Sequence, residues 1–142
     1  MMIRLLPNQV KEYQDIVDIT MERAFPETAM ETKTAIYRDI LAERTEVWFY
    51  ITEEEKVGLC CITRVNDDYN VGRKTFTIIA LYAMEPTTPQ MFMDGFRILK
   101  RYANAKECFF MDFYTDHPKI KEYAEMFDIL WKCNYYQLRL GD

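Results

Sequence analysis

The chain opens on a short apolar run, "MIRLL" (Met2–Leu6), closed by Pro7, which predicts a strand. Asn8 is a good N-cap residue. Behind it Val10, Tyr13, Val17 and Ala24, with Ile16 and Thr20 alongside, recur at helical spacing. This helix is expected to stop near Phe25, because Pro26 disfavours helical geometry at the residue before it. A second helix is predicted from about Ala29 to Arg44, with Ile36, Tyr37, Ile40 and Leu41 as its apolar stripe. The period then changes to two. "TEVWFYIT" (Thr45–Thr52) alternates Val47, Phe49 and Ile51 against Trp48 and Tyr50. "KVGLCCITRV" (Lys56–Val65) follows after the charged turn "EEE", which gives an antiparallel hairpin.

"NDDYNVGR" (Asn66–Arg73) is turn chemistry, and "KTFTIIALYAM" (Lys74–Met84) is a long strand with apolar residues on both faces at its centre. After Pro89 the pattern becomes strongly helical. Phe92, Phe96, Leu99 and Ala103 form one stripe, and Met91, Gly95, Ile98 and Tyr102 repeat it alongside. "ECFFMDFYT" (Glu107–Thr115) is the next strand. Asp116 or His117 then caps a helix with Pro118 in its first turn, and "WKCNYYQLRL" (Trp131–Leu140) closes the chain as a strand. The step from the third meander strand through a long helix to "CFFMDFYT" is a crossover, so those two strands are expected to lie parallel. The fold class is α/β (α+β): a mixed, mostly antiparallel twisted sheet of about six strands flanked by four helices. It is expected to form one domain over residues 1–142.

Composition narrows the chemistry. The net charge is −5 and no basic block is present, which argues against nucleic acid or an anionic membrane as partner. No apolar stretch approaches the roughly 18 residues of a membrane span, and the N-terminal run is too short for a signal peptide. A cytoplasmic protein is expected. Serine is absent, so a Ser-His-Asp triad is excluded. The four glycines (Gly58, Gly72, Gly95, Gly141) are too scattered for a P-loop or a G-x-G-x-x-G fingerprint. Cys60, Cys61, Cys108 and Cys133 form no CxxC pair and His117 is the only histidine, so a zinc site is not expected.

The order of elements resembles the fold of the GNAT N-acetyltransferases over about residues 2–140. The most specific stretch is "FYTDHPKIKEYAEMFDILW" (Phe113–Trp131). Family members often carry there an Asn before a helix, then a Tyr, then Gly-Phe. Here Asp116 or His117 stands in the Asn place, Tyr123 near the Tyr place, and Asp128-Ile129 in place of Gly-Phe. The resemblance implies acetyl-CoA as cofactor, with its pyrophosphate on the loop after the fourth strand, "ALYAMEPTTPQMFMDGF" (Ala80–Phe96). The family's Q/R-x-x-G-x-G/A signature is missing there. Met91 and Phe92 fall near the glycine positions, and no Arg or Lys appears until Arg97.

Two readings of that loop stand side by side. In one, Thr88 caps the helix, Pro89 starts it, and N–H groups of Gln90 and Met91 face an anion with help from Thr87. In the other, Thr-Thr-Pro is a well-formed helix start that binds nothing, and Glu85 repels a phosphate. The resemblance implies cofactor contacts from Tyr82, Met84, Thr87, Thr88, Gln90, Met91 and His117. It implies Tyr123 as the acid near the sulfur and a carboxylate, Glu85 before Asp112 or Asp116, as the base for an attacking amine. Tyr123 also lies on the apolar stripe of its helix, where a packed tyrosine is expected. The acceptor would be an amine-bearing small molecule or protein. The alternative is a non-catalytic GNAT-like binding or structural protein, as the eroded motifs are similar to those of degenerate GNAT-like proteins of tailed bacteriophages, some of them virion components. Trp48, Tyr50, Tyr135 and Tyr136 are then candidates for an exposed association surface, including a homo-oligomeric one.

Overall fold

The computed structural model describes residues 1–26, 29–68, 72–113 and 118–126. They form, in order, β1 (Met2–Arg4), α1 (Pro7–Glu12), α2 (Gln14–Ala24), α3 (Ala29–Leu41), β2 (Thr45–Ile51), β3 (Val57–Asp68), β4 (Arg73–Ala83), α4 (Pro89–Ala105), β5 (Phe110–Phe113) and α5 (Pro118–Met126). The strands make one sheet in the order β1-β2-β3-β4-β5, antiparallel throughout except that β5 runs parallel to β4. The expected crossover through a long helix is therefore present. The predicted closing strand, the residue capping α5, and Cys133, Tyr135 and Tyr136 lie outside the described residues.

Five helices stand where four were expected, because the first divides at Tyr13. Tyr13 leaves helical geometry (φ −110°, ψ 29°), ending α1 and starting α2. Asn8 is not the cap: Leu6 is, and Pro7 takes the first helical position, where its missing N–H costs nothing. The Leu6 N–H is instead satisfied by Gln9 Oε1 at 2.8 Å. α2 ends before Pro26 as expected, with Phe25 as its C-cap.

The sheet is covered on both faces. On one, Val17 and Met21 of α2 and Ile36 and Ile40 of α3 bury Val47, Phe49, Cys60, Ile62 and Ala80. On the other, Met91, Leu99 and Ala103 of α4 bury Met2, Trp48, Tyr50, Leu59, Cys61 and Phe76. Trp48 and Tyr50 are thus 4% and 8% exposed, and the surface expected from them does not exist. Leu41, placed on the core stripe of α3, is exposed, because that helix ends there. Cys60 and Cys61 are free thiols inside the two cores. Burial pushes the Cys60 thiol up to about 12, so neither it nor the still more buried Cys61 supplies a thiolate nucleophile.

One irregularity shapes β4. Ile62 pairs with Ala80 but Thr63 with Ile78, so Ile79 is an extra residue in the ladder. Before this bulge Phe76 and Ile78 face α4; after it Ile79, Ala80 and Met84 pack into the α2–α3 core. Bulges bend a strand and end regular pairing. Among the described residues β5 accompanies β4 only over Thr75–Ile78, while β4 runs on to Ala83.

Candidate functional site

The end of β4 is fastened to its neighbour. The Gly58 carbonyl of β3 accepts the N–H groups of Met84 at 2.9 Å and Glu85 at 3.2 Å. The position also requires glycine for packing. A Cβ on Gly58 would stand 2.9 Å from both Met91 Cε and Thr52 Cγ2. Beyond Glu85 the loop contains two residues with no N–H, Pro86 and Pro89.

Thr88 is extended (φ −105°, ψ 158°) and caps α4 as expected, its Oγ1 accepting the Met91 N–H at 3.2 Å. The Phe92 N–H reaches the Thr88 carbonyl at 3.2 Å. The N–H groups of Thr87, Thr88 and Gln90 meet no acceptor among the described residues. They sit at the positive end of a helix of nearly five turns, the arrangement that favours an anion. The Gln90 side chain turns away, donating to Asp94 Oδ1 at 2.9 Å. Asp94 also accepts from the Tyr50 hydroxyl at 3.3 Å and pairs with Arg97 at 3.7 Å. The first cation after the loop is therefore tied to a carboxylate.

Tyr123 of α5 joins this loop from another element. Its hydroxyl donates to the Thr87 carbonyl at 2.9 Å, and its ring lies 5.4 Å from that of Phe92, which stacks in turn on Phe96. Only 3% of Tyr123 is exposed. The fold thus gathers Glu85, Thr87, Thr88, Gln90, Met91 and Tyr123 around one strand-to-helix junction. Their side chains do different things. Met91 is buried against the sheet, and its N–H is taken by the cap. Glu85 and Thr87 are half-buried, and Thr88 and Gln90 are exposed. Tyr82 and Met84 point to the opposite face of the sheet: Met84 packs into the α2–α3 core, and the Arg23 guanidinium of α2 lies 5.8 Å from the Tyr82 ring centre. His117 lies outside the described residues.

Two functional features escape a reading of the sequence. Gly58 signals itself only as a lone glycine within a strand pattern, which marks close approach of another backbone or side chain. The second is Glu46, at the far end of the sheet. Its carboxylate accepts from Thr63 Oγ1 at 2.9 Å and from the Tyr102 hydroxyl at 3.1 Å. Trp48 Nε1 donates to the same Thr63 oxygen at 2.8 Å, and Arg4 donates to Tyr102 at 3.1 Å. Burial raises the Glu46 pKa even though both hydroxyls and Arg4 pull it down. Glu46, Tyr102, Lys74 and Lys106 line an open groove of about 550 Å³, and a second hollow of about 310 Å³ lies beside Tyr50 and Asp94. None of the described residues expected to bind a cofactor lines either one. Among the described residues, no helix is long and apolar enough to cross a membrane.

No protein-family model matches the sequence, and no curated protein matches it in sequence. Solved structures do match in shape. A probable acetyltransferase superposes with a TM-score of 0.75 at 9% identity, over 100% of this chain and 99% of that one. An aminoglycoside acetyltransferase from an uncultured soil metagenomic sample gives 0.73 at 13% identity, over 99% and 98%. The ribosomal-protein-alanine N-acetyltransferase of Brucella melitensis biovar Abortus gives 0.70 at 9% identity, over 99% of each chain. At these identities the likeness is one of fold. The chain has a GNAT-like fold.

Proposed function

We propose that the protein is an acyl-CoA-dependent N-acetyltransferase whose cofactor loop works without glycine. The observation that carries this reading is the junction of β4 and α4, where three N–H groups at a helix start meet no acceptor among the described residues, in a GNAT-like fold. Main-chain donors suit a pyrophosphate whatever side chains surround them. The donor set therefore fits the group, although no side-chain cation of the loop assists.

When bound, acetyl-CoA supplies a thioester acyl group for transfer to an amine. The chain's part is to hold the phosphates on the N–H groups of Thr87, Thr88 and Gln90. Glu85 lies just beyond β4, past the positions at which β5 pairs with it among the described residues. Glu85 is then the base, its carboxylate taking a proton from an incoming ammonium group. The acceptor is then an amine-bearing small molecule or protein.

Acetyl-CoA at about 100 times its dissociation constant should stabilise the fold by about 2.7 kcal/mol, a rise in Tm of roughly 9 °C for a chain of this length. No shift at millimolar acetyl-CoA, with a control acetyltransferase shifting under the same conditions, rules the reading out. That outcome would favour the second reading, a GNAT-like binding or structural protein. The absent glycines and the Arg97–Asp94 pairing are what recommend it.

A further inference from the structure

We propose that Tyr123 is a positioning residue, whose hydroxyl holds the Thr87 carbonyl and so fixes the direction of the Thr88 N–H. The proposal rests on the cofactor reading above for its consequence, but the hold itself is independent of it. A glycine-rich loop can let its backbone approach an anion because it lacks side chains. This loop has Thr, Pro and Met instead, and another device must set its shape.

Three restraints do so. Gly58 fixes its start through Met84 and Glu85, Thr88 fixes its end through Met91, and Tyr123 grips the middle at Thr87. The peptide plane whose carbonyl Tyr123 holds is the one that carries the Thr88 N–H, since C=O and N–H of one peptide unit are coplanar and opposed. Anchoring the Thr87 oxygen on α5 therefore turns the Thr88 N–H away from α5. The grip is stiff. Tyr123 is buried and its ring is seated on Phe92, which belongs to the first turn of the helix being capped.

The geometry also bears on acid chemistry. A hydroxyl proton shared with the Thr87 carbonyl at 2.9 Å is not directed at a leaving sulfur. Tyr123 would have to break this bond to serve as the acid, and the loop would lose its central restraint at that moment.

The test compares wild type with Tyr123→Phe, which keeps the ring and removes only the hydroxyl. Amide hydrogen exchange without any cofactor should quicken by about fivefold at Met91, the buried amide bonded to the Thr88 cap, the scale of one neutral hydrogen bond, while the β2–β3 hairpin is unchanged. Equilibrium titration should show CoA and acetyl-CoA both weakened by a similar, equal factor of about five. A residue serving only as acid would leave both affinities and the loop's exchange untouched. Unchanged exchange at Met91 in a folded Tyr123→Phe protein overturns the proposal. If wild type binds neither CoA nor acetyl-CoA, the cofactor reading fails while the exchange comparison still decides the hold. Should Tyr123→Phe not fold, Phe92→Leu removes the seat of the ring and keeps the hydroxyl; it must also quicken exchange at Met91, and an unchanged rate overturns the proposal.

Discussion

Single residues carry much of the site, and Gly58 is the sharpest case. Its carbonyl takes two N–H groups at the end of β4, and its missing side chain leaves room for Met91. Gly58→Ala forces Met91 and Thr52 to move. Overpacking of this kind costs about 1–3 kcal/mol, to be read from urea denaturation, and the loss should be smaller in Gly58→Ala/Met91→Leu. Such a role is barely legible in sequence, because a glycine in a strand says that something comes close without saying what. Tyr123 shows the opposite balance. Its place on an apolar stripe is plain from spacing and it is buried as that stripe requires, yet its partner on Thr87, 36 positions away, leaves no local trace.

At the scale of elements, two helices end in the same unusual way. After α3, Arg44 N–H bonds to Asp39 O at 2.8 Å and Glu43 N–H to Ile40 O at 3.0 Å; after α4, Cys108 bonds to Ala103 and Glu107 to Asn104, both at 3.0 Å. Each is a Schellman ending, and the left-handed residue is Glu43 (φ 57°) in one and Glu107 (φ 61°) in the other. Glycine normally fills this position, since a Cβ there costs about 1–2 kcal/mol. Glu43→Gly and Glu107→Gly should each stabilise the protein by about 0.5–1 kcal/mol, measured as a shift of the urea midpoint without change of slope. Because glutamate stands where the stop signal should be, the sequence carries α3 on to Arg44. The division of the first helix at Tyr13 is hidden for a similar reason. Val10 and Val17 keep helical spacing across it, and neither glycine nor proline marks the break.

The whole molecule is a sheet enclosed by helices on both sides, and this decides what could be read from its strands. Alternation in "TEVWFYIT" correctly separates Val47 and Phe49 from Trp48 and Tyr50, but alternation cannot tell solvent from a second core. The order of strands and the parallel crossover were legible, because α4 is long and strongly two-faced. The network around Glu46 was not, because it joins β1, β2, β3 and α4 through residues distant in sequence. Its consequence concerns the entire fold. A carboxyl whose pKa is raised on folding binds its proton more tightly in the native state, so the stability it lends is fully present below the unfolded value. That stability is lost as pH rises from the unfolded value through the native one. Glu46→Gln should flatten this part of the stability–pH curve while leaving the remaining slope intact, as followed by denaturant titration across pH. A wild-type curve with no fall there would remove Glu46 from the account.

The bulge at Ile79 means that β4 is written in two frames. Up to Ile78 the even positions face α4, and from Ala80 onward they face the α2–α3 core. A single residue thus works as a phase shift between the half of the strand that builds the body and the half that delivers Glu85 and the loop. Length at that point is information. Losing one residue from a surface turn would shorten a connection, whereas losing Ile79 would leave Ile78 opposite Thr63 and Ala80 opposite Ile62 in an unbroken ladder, so every later side chain would keep its face and the strand would lose only its bend.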